Sequence, residues 1–279
     1  MANARLSEHF AQSRRGDHDL GQAPEFWAFR GRMFGGYTAA AALLAAARCA
    51  PPDAVALTAT FSYLSAAEVG PYRVEATDVR TGKSSTAVNV RLVQDGQTRV
   101  TLTAWFVRPD LLPLPPAPEI PAAQPPDRCG RTWRDDKNPF DAAYQRRALH
   151  YPAARRDYPS HGPDIDLWVR LIDPWSCAST VQRQAADLMI LDAHMAEVLV
   201  DGLRADPTRS FSIDLAVRWS NAVAISEAGE ATAGWRRLRV HGEARGRIGL
   251  TSAQLLCDHR LAAEATQHVA VGPPRDAGQ

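Results

Sequence analysis

Cysteine is scarce in this chain: Cys49, Cys129, Cys177 and Cys257 are all that 279 residues contain, and no two form a C-x-x-C pair. Such scatter argues against a zinc knuckle and offers no disulfide framework, so a reducing cytoplasm is the expected setting. Long apolar runs are missing too. None approaches the roughly 20 residues that a bilayer demands, and the opening MANARLSEHFAQSRRGDHDL lacks the apolar core of a signal peptide. Charge of one sign is also missing: 32 basic residues face 31 acidic ones, for a formal net charge of +1. Nothing therefore points to nucleic acid or to a membrane as partner. No G-x-S-x-G elbow marks a serine hydrolase. Thr81-Gly82-Lys83-Ser84 ends like a phosphate loop but lacks the upstream glycine, so it reads as a hairpin turn. His241, His259 and His268 show no metal spacing and read as polar-face histidines.

What the chain does have is 45% hydrophobic residues, enough for one large core or two moderate ones. Proline is concentrated: eight of the 20 lie between Pro109 and Pro126. At that density the backbone loses ladder donors and runs extended, as a linker between two halves does. Residues 111–164 are read as this linker plus an irregular connection, since Arg128 to Asp164 has no convincing period. The pairs Arg146-Arg147 and Arg155-Arg156 could meet phosphates, but arginines of this kind are usually solvated.

The halves, 1–110 and 165–279, resemble each other. The first has an Ala-rich helix (Tyr37 to Cys49) followed by strands at Ala56–Leu64, Tyr72–Val79, Ser85–Val93 and Arg99–Val107, with tight turns at Gly82 and at Asp95-Gly96. The second has a helix from Ala185 to Leu203, then strands at Phe211–Trp219, Trp235–Val240, Leu250–Leu256 and Leu261–Val271. In each, one long helix precedes several antiparallel strands. A sheet that wraps a helix needs close backbone approach, which the alanines of the first helix permit.

One residue of the second helix is out of place. On a 3.6-residue wheel Asp187, His194, Glu197 and Asp201 share a side, while Asp192 falls nearly opposite, among Leu188, Met189, Met195 and Ala196. A carboxylate on an apolar face must be paired, hydrogen-bonded or protonated, and burial raises its pKa. It is either a satisfied structural residue or a catalytic base.

Helix plus wrapping sheet, twice in one chain, resembles the double-hotdog arrangement, an α+β fold. RGRMFGGYTAAAAL, with Gly35-Gly36 at the helix entrance, is similar to the segment that opens the first hotdog helix in bacterial acyl-CoA thioesterase II and the wider thioesterase-like superfamily. Later pieces fit the resemblance: Asp192 on the second helix, Ser212-Ile213-Asp214 as a [ST]-x-D strand motif, and Gln267 in the final strand. The resemblance spans roughly 20–108 and 165–272, and departs from its nearest pattern in having Ser212 for Thr, a change that keeps the hydroxyl. It implies a hydrolase of acyl-CoA or of a carrier-protein-bound thioester, with Asp192, Ser212 and Gln267 orienting the attacking water. No metal or redox cofactor is implied. Two fused hotdogs already supply the usual dimer, so a homo-oligomer is optional. A hotdog dehydratase would pair an Asp with a His, and Asp192 and His194 point to different helix faces. A non-catalytic protein that holds an acyl chain is the alternative that fold alone leaves open.

The residues support these roles unevenly. Gln267 shares a strand face with Leu261, Ala263, Ala265 and Val269, so it is expected to be buried. Ser212 shares a face with Asp214, Ala216 and Arg218, opposite the apolar set, and points the wrong way unless the strand bulges. For a thioester oxyanion, the backbone N–H groups of Gly35, Gly36 and Tyr37 at a helix N-terminus are the expected donors. Aligning the halves sets Thr38 against Asp192, Thr58 against Ser212 and Ala104 against Gln267. Any working site therefore belongs to the second half, completed by the first.

Overall fold

The computed structural model describes residues 9–10, 13–15, 18–29, 31–111, 118–133, 139–154, 157–158, 164–172, 179–220, 234–257 and 259–273. Cys177, the Arg155-Arg156 pair and the middle of the proline-rich stretch lie outside them.

Two helices anchor the fold. α1 (Gly35–Ala47) presents small side chains on nearly every side and is buried along most of its length. α2 (Thr180–Gly202) begins five residues before the expected Ala185. Its start is a capping box: the Ser179 hydroxyl accepts the Gln182 N–H (3.3 Å), and the Gln182 side chain accepts the Ser179 N–H (2.8 Å). The helices pack on each other where α1 has no side chain to interfere. A Cβ on Gly36 would come within 3.0 Å of the Met189 Cα.

The strands are β1 (Ser13–Arg15), β2 (His18–Ala23), β3 (Ala28–Phe29), β4 (Arg32–Met33), β5 (Val55–Tyr63), β6 (Gly70–Thr81), β7 (Ser85–Gln94), β8 (Gln97–Val107), β9 (Tyr144–His150), β10 (Asp164–Leu171), β11 (Phe211–Ser212), β12 (Asp214–Trp219), β13 (Arg236–Arg245), β14 (Ile248–Cys257) and β15 (Arg260–Ala270). Among the described residues, thirteen of them form one sheet in the order β1-β2-β6-β7-β8-β5-β12-β15-β14-β13-β10-β9, with β11 also on β15. The two halves of that order mirror each other about the antiparallel β5–β12 pair, which runs from Thr58↔Arg218 to Ser62↔Asp214. Each helix lies against the strands of its own half, and this is the double-hotdog fold. Gly242 and Gly249 let the second sheet close on its helix, since Cβ atoms there would sit 2.9 Å from Val198 and 2.3 Å from Leu199. Gln184 of α2 ties the halves together by binding both the N–H and the C=O of Ala56 (3.0 and 2.7 Å), where β5 slips register.

Two expectations change. The connection is not wholly irregular, because β9 within it pairs with β10 at the sheet edge. Arg146 in that strand is fully buried rather than solvated, with Asp141 at 2.7 Å and the His194 ring at 2.9 Å. The side of α2 that carries Asp187, His194 and Glu197 is buried as well. Arg236 meets Asp187, Arg146 meets His194, and the hydroxyls of Tyr151 and Tyr158 donate to Glu197. Their burial is tolerable because each of these side chains has at least one polar partner.

Candidate active site

Asp192 is buried on α2, facing the first turn of α1. Its Oδ2 accepts the Gly36 N–H at 2.7 Å and its Oδ1 accepts the Gln267 Nε2 at 2.7 Å. Burial raises its pKa from 3.8 to about 6, against the smaller lowering effects of the Gln267 and Gly36 hydrogen bonds. Gly35 is required here: a Cβ on it would lie 2.8 Å from Asp192 Oδ2. Gln267, fully buried on β15 as its alternation demands, donates from the same nitrogen to Ser212 Oγ at 3.1 Å. Its Oε1 is buried with no hydrogen-bond partner among the described residues. The structure therefore brings Asp192, Ser212, Gln267, Gly35 and Gly36 together.

Ser212 reaches this cluster because the strand does bulge. Ser212 pairs with Val269 on β11, while Ala216 pairs with Thr266 on β12. Extended inward, these registers place both Ile213 and Asp214 opposite His268, one residue too many. The Ile213 N–H donates to the His268 carbonyl (2.8 Å), and the Asp214 carboxylate accepts the His268 N–H (2.8 Å) and meets its ring Nδ1 (2.8 Å). The extra residue reverses the alternation, so Ser212 faces inward although Leu215, Val217 and Trp219 do too. The Asp of the [ST]-x-D motif is thus a clamp on the bulge. Asp214→Ala is expected to lower the unfolding free energy by about 1–2 kcal/mol in urea titrations, the worth of one or two such bonds, and to speed hydrogen exchange at the His268 amide. An unchanged exchange rate there would show that the bulge holds without it.

The three expected oxyanion donors are not equally free. The Gly36 N–H is committed to Asp192 rather than to a substrate oxygen. The Tyr37 N–H turns back to the Phe34 carbonyl at 3.1 Å, as helix starts often do. The Tyr37 hydroxyl points elsewhere, donating to the His9 carbonyl at 2.9 Å and lying 3.3 Å from the Tyr72 hydroxyl. Of the three, only the Gly35 N–H has no acceptor among the described residues. Thr38 and Ala104, the counterparts of Asp192 and Gln267, are a hydroxyl bonded to the Gly35 carbonyl and a buried methyl, so the first half has no second set of these groups.

A match to known proteins comes from the first half. Residues 23–107 match the family model described as the acyl-CoA thioesterase N-terminal domain. In sequence this half is similar to an acyl-CoA thioesterase domain. Solved structures resemble the whole chain. A hot dog fold protein of unknown function from Alicyclobacillus acidocaldarius is 23% identical, with 96% of this chain and 98% of that one covered and a TM-score of 0.78. A tesB protein of Mycobacterium avium subs paratuberculosis is 18% identical over 95% and 97%, with a TM-score of 0.77. An acyl-CoA thioesterase II of Mycobacterium marinum is 19% identical over 97% and 99%, with a TM-score of 0.74. A search of curated protein sequences finds no match. The matched half supplies the Gly-Gly helix start, while the carboxylate, amide and hydroxyl all come from the other half.

Two features lie apart from the cluster. A trough of about 790 Å³ on the outer face of the second half, lined by Arg218, Arg239, His241 and Glu264 among others, includes none of the site residues. No helix among the described residues is long and apolar enough to cross a membrane.

Proposed function

We propose that the chain hydrolyses acyl thioesters of the acyl-CoA class in the cytoplasm, by water activated at Asp192. The observation that carries this reading is a desolvated carboxylate, raised to about 6, tied by hydrogen bonds to an amide and through it to a hydroxyl. A base with that pKa is largely ionised near neutrality and still basic enough to take a proton. Asp192 accepts a proton from water as its oxygen adds to the thioester carbonyl carbon. The tetrahedral intermediate then collapses with cleavage of the C–S bond, and the departing thiolate takes the proton back, leaving acid and thiol. Gln267 and Ser212 fix the carboxylate and the water in register. The acyl-CoA thioesterase match of residues 23–107 supports the substrate class, and the scattered cysteines support the compartment.

The test is release of free thiol from short-, medium-, long-chain and aryl acyl-CoAs, with an acyl carrier protein thioester as a further arm. Turnover of a CoA thioester is the expected result. Turnover confined to the carrier-bound substrate would change the thiol but keep the chemistry. Acyl-CoA binding without any thiol release would favour a holding protein and overturn the reading.

A further inference from the structure

We propose that Tyr63, from the first half, is a catalytic residue of this site, its hydroxyl donating a hydrogen bond to the thioester carbonyl oxygen and to the oxyanion that forms from it. The inference rests on the hydrolase reading. Tyr63 is the last residue of β5, on the same inward face as Ala59 and Phe61, which are fully buried. Its N–H donates to the carbonyl of Ile213 at 2.9 Å, so the backbone of Tyr63 is fastened to the bulge that turns Ser212 inward. The phenol oxygen is buried and has no hydrogen-bond partner among the described residues. A phenylalanine would fill the same space without desolvating a hydroxyl, so a tyrosine here calls for a ligand.

The rest of the site says what that ligand offers. Asp192 and the orphan Gln267 Oε1 are acceptors, suited to the protons of a water molecule. The Gly36 and Tyr37 amides are already engaged, which leaves the Gly35 N–H and the Ser212 O–H as donors among the described residues of the site. Tyr63 supplies another. Burial and the negative charges of Asp192 and Asp214 push its pKa well above 10, so it keeps its proton near neutral pH, where Asp192 is ionised. The hydroxyl is therefore a donor that does not compete to be the base.

Tyr63→Phe tests this. It is expected to fold with an unfolding temperature equal to or above that of the wild type, and to lower kcat by about 10²–10³-fold, the range for loss of one oxyanion donor. Two non-hydrolysable CoA analogues separate a catalytic role from packing. One keeps the carbonyl and replaces sulfur with methylene; the other is a thioether with no carbonyl. The variant should bind the ketone about tenfold more weakly and the thioether unchanged. Equal weakening of both, or a wild-type kcat in the variant, would overturn the role of Tyr63 while leaving the hydrolase reading standing. No thiol release by the wild type from any acyl thioester would overturn both.

Discussion

Asp192→Asn should lower thiol release by two or more orders of magnitude and yet leave the folded protein more stable at pH 8. The loss follows from removing the base, since positioned proton transfer contributes roughly 10²–10⁴-fold. The gain follows from the raised pKa. The folded state holds the Asp192 proton with a pKa of about 6, against 3.8 without the fold. Between these values the folded chain binds more protons than the unfolded one, so stability falls as pH rises from about 4 to about 6. Above pH 6 the full penalty is in place, up to about 3 kcal/mol at 1.4 kcal/mol per pH unit. Asparagine has no charge to bury. It also keeps its bonds: its oxygen accepts the Gly36 N–H, and its NH₂ meets Gln267 once that amide turns its unpartnered Oε1 round. Urea titrations of both proteins at pH 4 and pH 8 should show the variant gaining only at the higher pH. The wild-type kcat/KM should rise about tenfold per pH unit below 6 and level off above it. A profile flat from pH 5 to 7, or a variant with undiminished turnover, would place the base elsewhere.

Asp192 and Gln267 were legible because a regular element has a fixed period. A helix wheel isolates the first, and strand alternation buries the second. Ser212 was not, since its inward face depends on a bulge that Asp214 and His268 clamp across strands, and alternation assumes none. The Gly-Gly helix start was visible, but the acceptor of the Gly36 N–H was not, because Asp192 lies 156 positions away. Tyr63 carries a sequence signal in its parity with Phe61 on β5, but only tertiary packing strips its hydroxyl of partners among the described residues. The start of α2 was also written locally, as Ser179 with Gln182 three residues on. β2, β9 and β10 carry weak sequence signals because they lie at or next to the sheet edges: their sequences are short or carry charged residues, and pairing of β2 with β6, β10 with β13 and β9 with β10 holds them in place.

The buried side of α2 yields the largest stability effect. Asp141 and Arg146 form an ion pair with both side chains inaccessible to solvent, and Arg146 continues to His194 Nε2 at 2.9 Å. Because that nitrogen accepts, the ring proton sits on Nδ1 and is donated to the Ile190 carbonyl at 2.8 Å. The guanidinium also lies 4.9 Å from the centre of the Tyr144 ring, whose hydroxyl donates to the Met189 carbonyl at 3.0 Å. Met189 is the residue whose backbone faces Gly36, so this brace backs the turn of α2 that presents Asp192 to α1. Asp141→Ala removes a fully buried counter-charge from beside Arg146 and is expected to destabilise the fold by about 3–5 kcal/mol. Adding Arg146→Met should restore most of that, because a buried pair and an apolar replacement are close in free energy. The charge imbalance, rather than lost packing, is then the cause, and urea titration of the single and double variants measures it. A loss below about 1 kcal/mol for Asp141→Ala, typical of exposed pairs, would mean that the brace is carried by the Tyr144 and His194 bonds to the α2 backbone alone.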